Sequence, residues 1–153
     1  MTPSTSPSTE IRPLVLADEG AWRELWTDYL AFYDTTVPES VYRDTFNRLC
    51  SAAEPDLGGF LACRDGRPVG LVHYLFHAHF WKPEGVCYLQ DLFVTPGARG
   101  QGIAGALIEA VYDAADAAGR PSVYWTTQEF NHRARRLYDR VGICTPFIKY
   151  TRP

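Results

Sequence analysis

The chain has 153 residues, which is the size of one ordinary domain. Hydrophobic residues make up 46% of the chain and charged residues 22%, a composition that excludes a disordered, collagen-like or coiled-coil protein. The net charge of -3 argues against a surface that binds nucleic acid, and no apolar run reaches the roughly 18 residues of a membrane span. We therefore expect a cytoplasmic globular protein with no nucleic acid and no membrane among its partners.

The first third of the chain predicts an edge strand followed by two helices. Residues 1–9 are mainly Pro, Ser and Thr, so we expect a disordered tail there and a single domain over residues 10–153. Residues 11–16 are apolar but include Pro13, which is typical of an edge strand. Asp18 is a candidate cap for a first helix, and a second helix begins at Pro38. The apolar stripe of the first helix consists of Trp22, Leu25, Trp26, Tyr29, Leu30 and Tyr33.

The rest of the chain predicts alternating strands and helices. Residues 60–64 and 69–77 form a hairpin around Asp65-Gly66, and residues 87–94 form a central strand because they are mostly apolar. A helix begins near Gly102, and residues 122–126 form a strand parallel to the preceding one. Asn131 caps a last helix, and residues 147–150 add a possible final strand. The order βααβββαβαβ describes a mixed α/β (α+β) fold.

Cysteine and histidine residues give no clear sign of a metal site. The cysteine spacing fits neither a metal knuckle nor a redox pair, so we interpret all four as buried hydrophobic residues. They are Cys50, Cys63, Cys87 and Cys144. Three histidines, His73, His77 and His79, lie at even spacing on one strand and could share a face, but no carboxylate is suitably spaced to complete a site. We interpret these histidines as packing or hydrogen-bonding residues, with no metal.

The most specific local pattern is A-R-G-Q-G-I-A-G at residues 98–105, between a buried strand and a helix. Unpaired N–H groups and the dipole of a helix N-terminus attract phosphates, although the glycines would also suit a tight turn alone. A dinucleotide-binding fingerprint is rejected, because five residues separate Val94 from Gly100 and no carboxylate ends the next strand. A Walker loop is rejected because no Lys follows the second glycine.

The same loop resembles the Q/R-x-x-G-x-G/A pyrophosphate loop of the GNAT superfamily of acyl-coenzyme A N-acyltransferases. Arg99, Gly102 and Ala104 match that pattern. The resemblance continues through D-L-F-V before the loop and through N-H-R-A-R-R-L-Y-D-R-V-G at residues 131–142, which is similar to the motif N-x-x-A-x-x-L-Y-x-x-x-G. Within the superfamily, the chain looks most like the fungal histone and D-amino acid acetyltransferases and the di- and polyamine acetyltransferases. The resemblance implies a mostly antiparallel central sheet with splayed parallel strands, flanked by helices.

The resemblance also implies acetyl-coenzyme A (acetyl-CoA) as co-substrate and assigns residues to it. The main chain of Leu92, Phe93 and Val94 would contact it, and Asn131 would bind its pantetheine arm. A basic cluster on the last helix is typical of a solvated face, although one of its arginines would meet the 3'-phosphate; the cluster is Arg133, Arg135, Arg136 and Arg140. Tyr138 would protonate the leaving thiolate, although a plain core tyrosine is the alternative. The loop residues expected to hold the diphosphate are Arg99, Gly100, Gln101, Gly102, Ile103, Ala104 and Gly105.

The general base is ambiguous in the sequence. The polyamine and fungal relatives carry Glu-Asp before the L/F-F/Y-V triplet, whereas this chain has Gln90-Asp91, and an amide cannot accept the proton. Asp91 would serve if a bulge or a water chain directed it to the amine. Glu129, His77 and a water relay are alternatives, and Gln90 would then hydrogen-bond the substrate.

The expected function is the transfer of the acetyl group to a primary amine of a polyamine, amino acid or lysine side chain, by direct attack in a ternary complex. Aromatic residues would stack on this acceptor or attract its charge. The expected substrate-binding residues are Trp26, Tyr29, Tyr33, Trp81, Gln90, Trp125, Thr126 and Glu129. The resemblance also implies a homodimer that exchanges its C-terminal strand. The alternative is a non-catalytic module that binds or senses acyl-coenzyme A.

Overall fold

The computed structural model describes residues 8–153. These residues form one five-stranded sheet and four α-helices, with short 3-10 turns at Leu16–Asp18 and Pro96–Ala98. The strands are β1 (Thr9–Pro13), β2 (Leu57–Arg64), β3 (Arg67–His79), β4 (Lys82–Val94) and β5 (Val123–Tyr124). The helices are α1 (Glu19–Phe32), α2 (Glu39–Leu49), α3 (Ile103–Ala117) and α4 (His132–Val141). No helix of this part of the chain is both long and apolar enough to cross a bilayer.

The sheet is antiparallel from β1 to β4 and ends in a parallel β4–β5 pair. The β2–β3 hairpin turns at Asp65 and Gly66, which both have positive φ, as the Asp-Gly pair predicts. β5 pairs with β4 only at Cys87 and Tyr88, so the two strands separate beyond that point. The predicted fold, a mixed and mostly antiparallel sheet with splayed parallel strands, is confirmed.

Helices cover both faces of the sheet, because each face presents alternate apolar residues to them. On one face, α1 and α2 contribute the fully buried Trp22 and Phe46 to a cluster that includes Leu61, Leu71 and Phe93. On the other face, α3 packs its buried stripe against residues such as Val72, Cys87 and Leu89. The stripe of α3 is Ile103, Leu107, Ile108, Val111 and Ala115. Three partly buried side chains of α4 pack against that second cluster, Leu137, Tyr138 and Val141.

The N-terminal boundary differs from the prediction. Residues 1–7 of the expected tail lie outside the described residues, but Thr9 already pairs with Arg64, and the Ser8 carbonyl accepts a hydrogen bond from Asp65 N at 3.0 Å. The predicted start of the domain at residue 10 is therefore too late. Asp18 does not cap α1 with its side chain; it accepts from Val15 N at 2.8 Å and forms a bidentate ion pair with Arg12.

The predicted strand over residues 147–150 is wrong for a single copy of the chain. The residues after α4 have no regular structure, and Phe147, Ile148 and Tyr150 are 86%, 77% and 87% exposed. Backbone hydrogen bonds need a partner strand, and β5, at the sheet edge, has only two residues. Cys144 lies in the same exposed segment, so its interpretation as a buried residue is also wrong. Cys63 and Cys87 are buried, while Cys50 is half-buried.

Candidate active site

The glycine loop connects β4 to the N-terminus of α3. Gly100 and Gly102 both have φ of 78°, a left-handed conformation that a side chain disfavours, and Gly102 directly precedes the first helical residue, Ile103. The first hydrogen bond of the helix runs from Ala106 N to Gly102 O, so the N–H groups just before it have no partner within the helix. Free N–H groups at a helix N-terminus suit the anion that the sequence predicts at this place.

A cavity of about 650 Å³ lies beside the loop, lined by the end of β4, the end of α1 and α4. Ten of the eleven predicted cofactor-binding residues line it, whereas Gln101 is exposed and does not. The ten are Leu92, Phe93, Val94, Arg99, Gly100, Gly102, Ile103, Ala104, Gly105 and Asn131. The loop, the strand end and α4 are far apart in sequence, so the fold brings them together around one space.

The free edge of β4 suits an extended, amide-containing chain. Because β5 ends its pairing at Tyr88, the edge of β4 from Leu89 to Val94 has no strand partner on the β5 side in the described part of the chain. Main-chain groups on such an edge are donors and acceptors for an added strand or a strand-like ligand. The pantetheine arm of coenzyme A carries two amides and matches this requirement. This agrees with the contacts that the resemblance implies for residues 92–94.

Arg99 is a fixed part of the loop and does not swing freely. Its Nε donates to the Val94 carbonyl at 3.0 Å, and its guanidinium lies 5.8 Å and 6.0 Å from the ring centres of Phe93 and Phe32. A guanidinium held over aromatic faces keeps its charge while its stem packs. Arg99 therefore ties the loop to the end of β4.

Three arginines of α4 give the cavity a basic side. Arg133, Arg136 and Arg140 line it, whereas Arg135 instead donates to the Glu129 carbonyl at 2.7 Å. Guanidinium groups bind phosphates with paired hydrogen bonds. Together with the helix N-terminus, these residues fit a ligand that carries a diphosphate and a third phosphate.

Tyr138 stands on the wall of the cavity with its ring packed edge-on against Trp125, the centroids 5.5 Å apart. Burial, with a smaller contribution from the nearby Tyr33, raises the pKa of Tyr138 to about 12. The hydroxyl is therefore a proton donor at neutral pH. Asn131 holds the start of the same helix, because its side-chain oxygen accepts from Ala134 N at 3.3 Å. This confirms the predicted cap.

Gly142 ends the motif at residues 131–142, and close packing explains why a glycine stands there. A Cβ at this position would lie 2.9 Å from Trp125 Cη2, closer than real contacts allow. Trp125 in turn contacts Tyr138, so the glycine sets the position of the candidate acid through one intermediate side chain. Trp125 is thus part of the support for Tyr138, and it does not line the cavity that was expected to hold substrate.

A bulge in β4 decides where Asp91 points. His73 pairs with Asp91 while the next residue of β3, Tyr74, pairs with Leu89, so Gln90 is an extra residue without an opposite partner. Leu89 and Leu92 consequently both pack on the α3 face although they are three positions apart. Asp91 faces α1, where its side chain is buried, and Gln90 is exposed.

Asp91 is held by a buried hydrogen-bonded chain. Its Oδ2 lies 2.8 Å from His73 Nδ1, and His73 Nε2 accepts from Trp22 Nε1 at 2.8 Å. Burial alone would raise the pKa of Asp91, but the hydrogen bond from His73, with a smaller contribution from Tyr29, lowers it below its ordinary value. Asp91 is therefore a carboxylate at neutral pH.

Tyr29 connects this carboxylate to the cavity. Asp91 does not line the cavity itself, whereas Tyr29 and Tyr33 do, as their prediction as substrate-binding residues requires. Burial and the neighbouring negative charge of Asp91 raise the pKa of both tyrosines. A hydroxyl with a raised pKa next to a carboxylate stays protonated and serves as a donor toward it.

The other candidate bases lie elsewhere. His77 has both ring nitrogens engaged, Nδ1 with the Ala78 carbonyl at 2.8 Å and Nε2 with Tyr124 Oη at 2.7 Å. The carbonyl has no proton, so Nδ1 is the donor and Nε2 accepts from the tyrosine, which leaves neutral His77 no free lone pair. Glu129 is exposed and does not line the cavity. His73, His77 and His79 thus have separate partners, and residues 8–153 contain no group of three His, Cys, Asp or Glu placed to hold a metal.

The remaining predicted substrate-binding residues do not line the cavity. Trp26 is buried and stacks on Trp22 with centroids 5.1 Å apart. Trp81 is 87% exposed in the turn of the β3–β4 hairpin, while Gln90 and Thr126 are exposed at other positions. Two residues were not predicted from the sequence as part of the site: Phe32, which lines the cavity, and His73, which holds Asp91. Phe32 departs from the apolar stripe of α1, and the role of His73 depends on the register that places it opposite Asp91.

Comparisons with known proteins give the same family that the sequence motifs resemble. Residues 21–143 match the model of the acetyltransferase (GNAT) family. The D-amino-acid N-acetyltransferase HPA3 of Saccharomyces cerevisiae is 42% identical over 137 residues, which are 88% of this chain and 84% of that protein. The thialysine N-epsilon-acetyltransferase of Bos taurus is 35% identical over 74 residues, 48% of this chain and 43% of that protein.

A solved structure shows the same fold at lower identity. The aminoglycoside N-acetyltransferase AAC(6')-Iy in complex with CoA is 20% identical, with a TM-score of 0.84, and the match covers 100% of this chain and 99% of that one. Acetyl-CoA is the co-substrate of this class of enzyme, and the loop, the free strand edge and the arginines described above fit it. The family match over most of the chain and the yeast relative show that the chain belongs to the GNAT family and is an acetyl-CoA-dependent N-acetyltransferase.

Proposed function

We propose that the acceptor is the amino group of a small amino acid or polyamine, with a lysine side chain as the larger variant of the same chemistry. The observation that carries this proposal is the Asp91 carboxylate beside Tyr29, a proton acceptor next to the cavity wall. An anionic group and aromatic faces favour a cationic amine over an acidic acceptor. The relatives named for D-amino acids and thialysine support the same class.

The amine must lose a proton before it can attack. An alkyl amine with a pKa near 10.4 is neutral in only about one molecule in 2,500 at pH 7, so deprotonation costs about 4 to 5 kcal/mol. Asp91 is the proposed acceptor of this proton. Its position on the α1 face, which the bulge at Gln90 determines, leaves Tyr29 as the group that faces the amine.

Bound acetyl-CoA supplies the thioester that is attacked and the thiolate that leaves. The main chain of residues 92–94 holds the pantetheine arm and donates an N–H to the thioester carbonyl, while the N-terminus of α3 and the arginines of α4 hold the phosphates. Tyr138 donates its phenolic proton to the departing thiol. Direct transfer within a ternary complex needs no nucleophile from the protein.

A panel of amines tests the acceptor class. Thialysine, D-alanine, spermidine and a lysine-containing peptide would each be mixed with the protein and acetyl-CoA, and thiol release would be followed. We expect release with at least one of the three small amines and slower release with the peptide. Thiol release with the peptide alone would contradict the proposed class. Binding of acetyl-CoA without release on any amine would instead favour the non-catalytic module.

We also propose a cytoplasmic homodimer. The exposed apolar residues after α4 support the dimer, since Ile143, Phe147 and Ile148 are each more than 75% exposed and need a partner to be covered. The cytoplasmic location is supported by the four cysteines, which are all free thiols.

A further inference from the structure

A hydrogen-bonded chain of three buried side chains crosses the fold below the cavity. Trp22 on α1, His73 on β3 and Asp91 on β4 are 0%, 6% and 8% exposed, and each of the two hydrogen bonds between them is 2.8 Å long. Buried polar groups of this kind are expensive unless they are paired. The arrangement therefore fixes the imidazole between a hydrogen-bond donor, the Trp22 indole N–H, and an acceptor, the Asp91 carboxylate.

The indole of Trp22 determines which nitrogen of His73 carries the proton. An indole N–H is a donor only, so His73 Nε2 has to be the unprotonated nitrogen that accepts from it. The proton of the neutral ring is then on Nδ1, which donates to Asp91 Oδ2. A doubly protonated ring would oppose two N–H groups at the fully buried Trp22.

We propose that His73 is a positioning residue for the deprotonation step: Trp22 sets its tautomer, and its Nδ1–H holds the Asp91 carboxylate oriented toward Tyr29 on the cavity wall. The proposal rests on the proposed role of Asp91 as proton acceptor. It assigns His73 no contact with either substrate.

His73 is the donor that a buried carboxylate needs in order to stay charged. The groups that face Asp91 are His73 from β3, Trp26 and Tyr29 from α1, and Tyr33 directly after α1. None of them is a Lys or an Arg, and Trp26 Nε1 makes no hydrogen bond. The hydrogen bond from His73 therefore takes the place of a Lys or Arg ion pair in keeping this carboxylate ionised.

The proton movements balance through this chain. One N–H bond of the ammonium breaks, and its proton passes to Tyr29 Oη while the Tyr29 hydroxyl proton passes to Asp91, which becomes a neutral acid and later releases its proton to solvent. Tyr138 protonates the leaving thiolate, and the second proton lost from the nitrogen restores the Tyr138 hydroxyl. The net reaction yields amide, thiol and one proton. His73 keeps its own proton throughout.

Two isosteric substitutions separate positioning from packing. His73→Asn places an amide N–H where Nδ1 lies and retains the donor to Asp91, whereas His73→Gln places an amide oxygen where Nε2 lies and retains only the acceptor for Trp22. Each would be assayed for thiol release with the best small amine of the panel across pH 3 to 9, and each would be checked by thermal melting.

We expect His73→Gln to lower kcat about 10- to 100-fold and to move the acidic limb of the kcat profile up by about one pH unit, because a lost hydrogen bond to a charged group raises the pKa of Asp91. His73→Asn should restore the position of the limb. Equal kcat and equal limbs in the two variants would mean that His73 only fills space, and the proposal would be overturned.

An independent readout needs neither substrate. Nitrogen-15 NMR of the imidazole in the wild-type protein should show a neutral ring protonated at Nδ1, and the Nε2–H tautomer would overturn the proposal even if a variant failed to fold. The Asp91→Asn variant tests the proposed role of Asp91 as the base separately from the positioning role of His73. Loss of turnover in that variant keeps Asp91 as the base, whereas retained turnover removes the proposed function of Asp91 whatever His73 does.

Discussion

At the scale of single residues, Tyr138 and Asp91 have opposite tasks that their surroundings support. Burial raises the pKa of the phenol, and hydrogen bonds lower that of the carboxylate, so at neutral pH one is a donor and the other an acceptor. Tyr138 and Asn131 follow from their motif in the sequence. His73 does not, because its partner lies 18 positions away and is specified only by strand register.

Removal of the Tyr138 hydroxyl tests the acid directly. The Tyr138→Phe variant keeps the ring that packs on Trp125, so we expect unchanged acetyl-CoA affinity by calorimetry and turnover reduced by about 100-fold or more, the usual contribution of a general acid. Turnover equal to that of the wild type would exclude Tyr138 from the mechanism.

Asp18 gives a prediction about stability. Its pKa is lowered mainly by the hydrogen bonds from Arg12, so its stabilising effect is fully present above the ordinary value of 3.8 and is lost as pH falls through the lower folded value. Asp18→Asn should cost about 1 to 3 kcal/mol in urea unfolding at pH 7, and the deficit should shrink below pH 4. Asp28→Asn, at an exposed position of the adjacent helix α1, is the control. A deficit that did not depend on pH would show that the ion pair is not its source.

At the scale of elements, local patterns predict the order of helices and strands, while their lengths depend on tertiary contacts. β4 begins at Lys82, five residues before the predicted start, because the β3–β4 hairpin continues beyond the rest of the sheet. β5 is shorter than predicted because its pairing with β4 ends at Tyr88. The bulge at Gln90 has no signal in hydrophobic alternation, since both neighbouring faces are apolar.

The loop between β4 and α3 can be tested with a matched pair of glycines. Gly102 has a φ of 78°, and Gly97 is not in that conformation; a Cβ at either would meet no atom within 4 Å. Gly102→Ala should cost about 1 to 2 kcal/mol of backbone strain and weaken acetyl-CoA binding in calorimetry, whereas Gly97→Ala should do neither. Equal affinities in the two variants would show that the left-handed residue is not needed for the anion site.

At the scale of the whole molecule, the order of elements predicts a mixed α/β fold, and the flanking helices and the splay of the parallel strands follow from the resemblance to the family. The C-terminal strand is the exception. A strand forms only when its backbone groups find partners, and in a single copy of the chain residues 147–150 have none. The exposed apolar side chains there are consistent with a partner supplied by a second copy.

The proposed dimer predicts a specific dissociating change. Ile148→Glu puts a charge among the exposed apolar residues of the C-terminal segment and should convert a sedimenting dimer into a monomer, because burial of an unpaired charge is costly. Lys149→Glu, a charge change at the next position, should leave the dimer intact. A monomeric wild-type protein at micromolar concentration would refute the dimer.

The unpaired Gln90 shapes the strand more than it decides what the strand can tolerate. Side chains alternate across a regular strand, so a chain without Gln90 would present Leu89, Asp91 and Leu92 in simple alternation and would keep the facings that the bulge gives them now. What the additional residue supplies is curvature, because a bulge bends its strand and increases the local twist. The bend lies where β4 loses its β5 neighbour, so one surplus residue contributes to the shape of the strand edge on which the pantetheine arm is expected to lie.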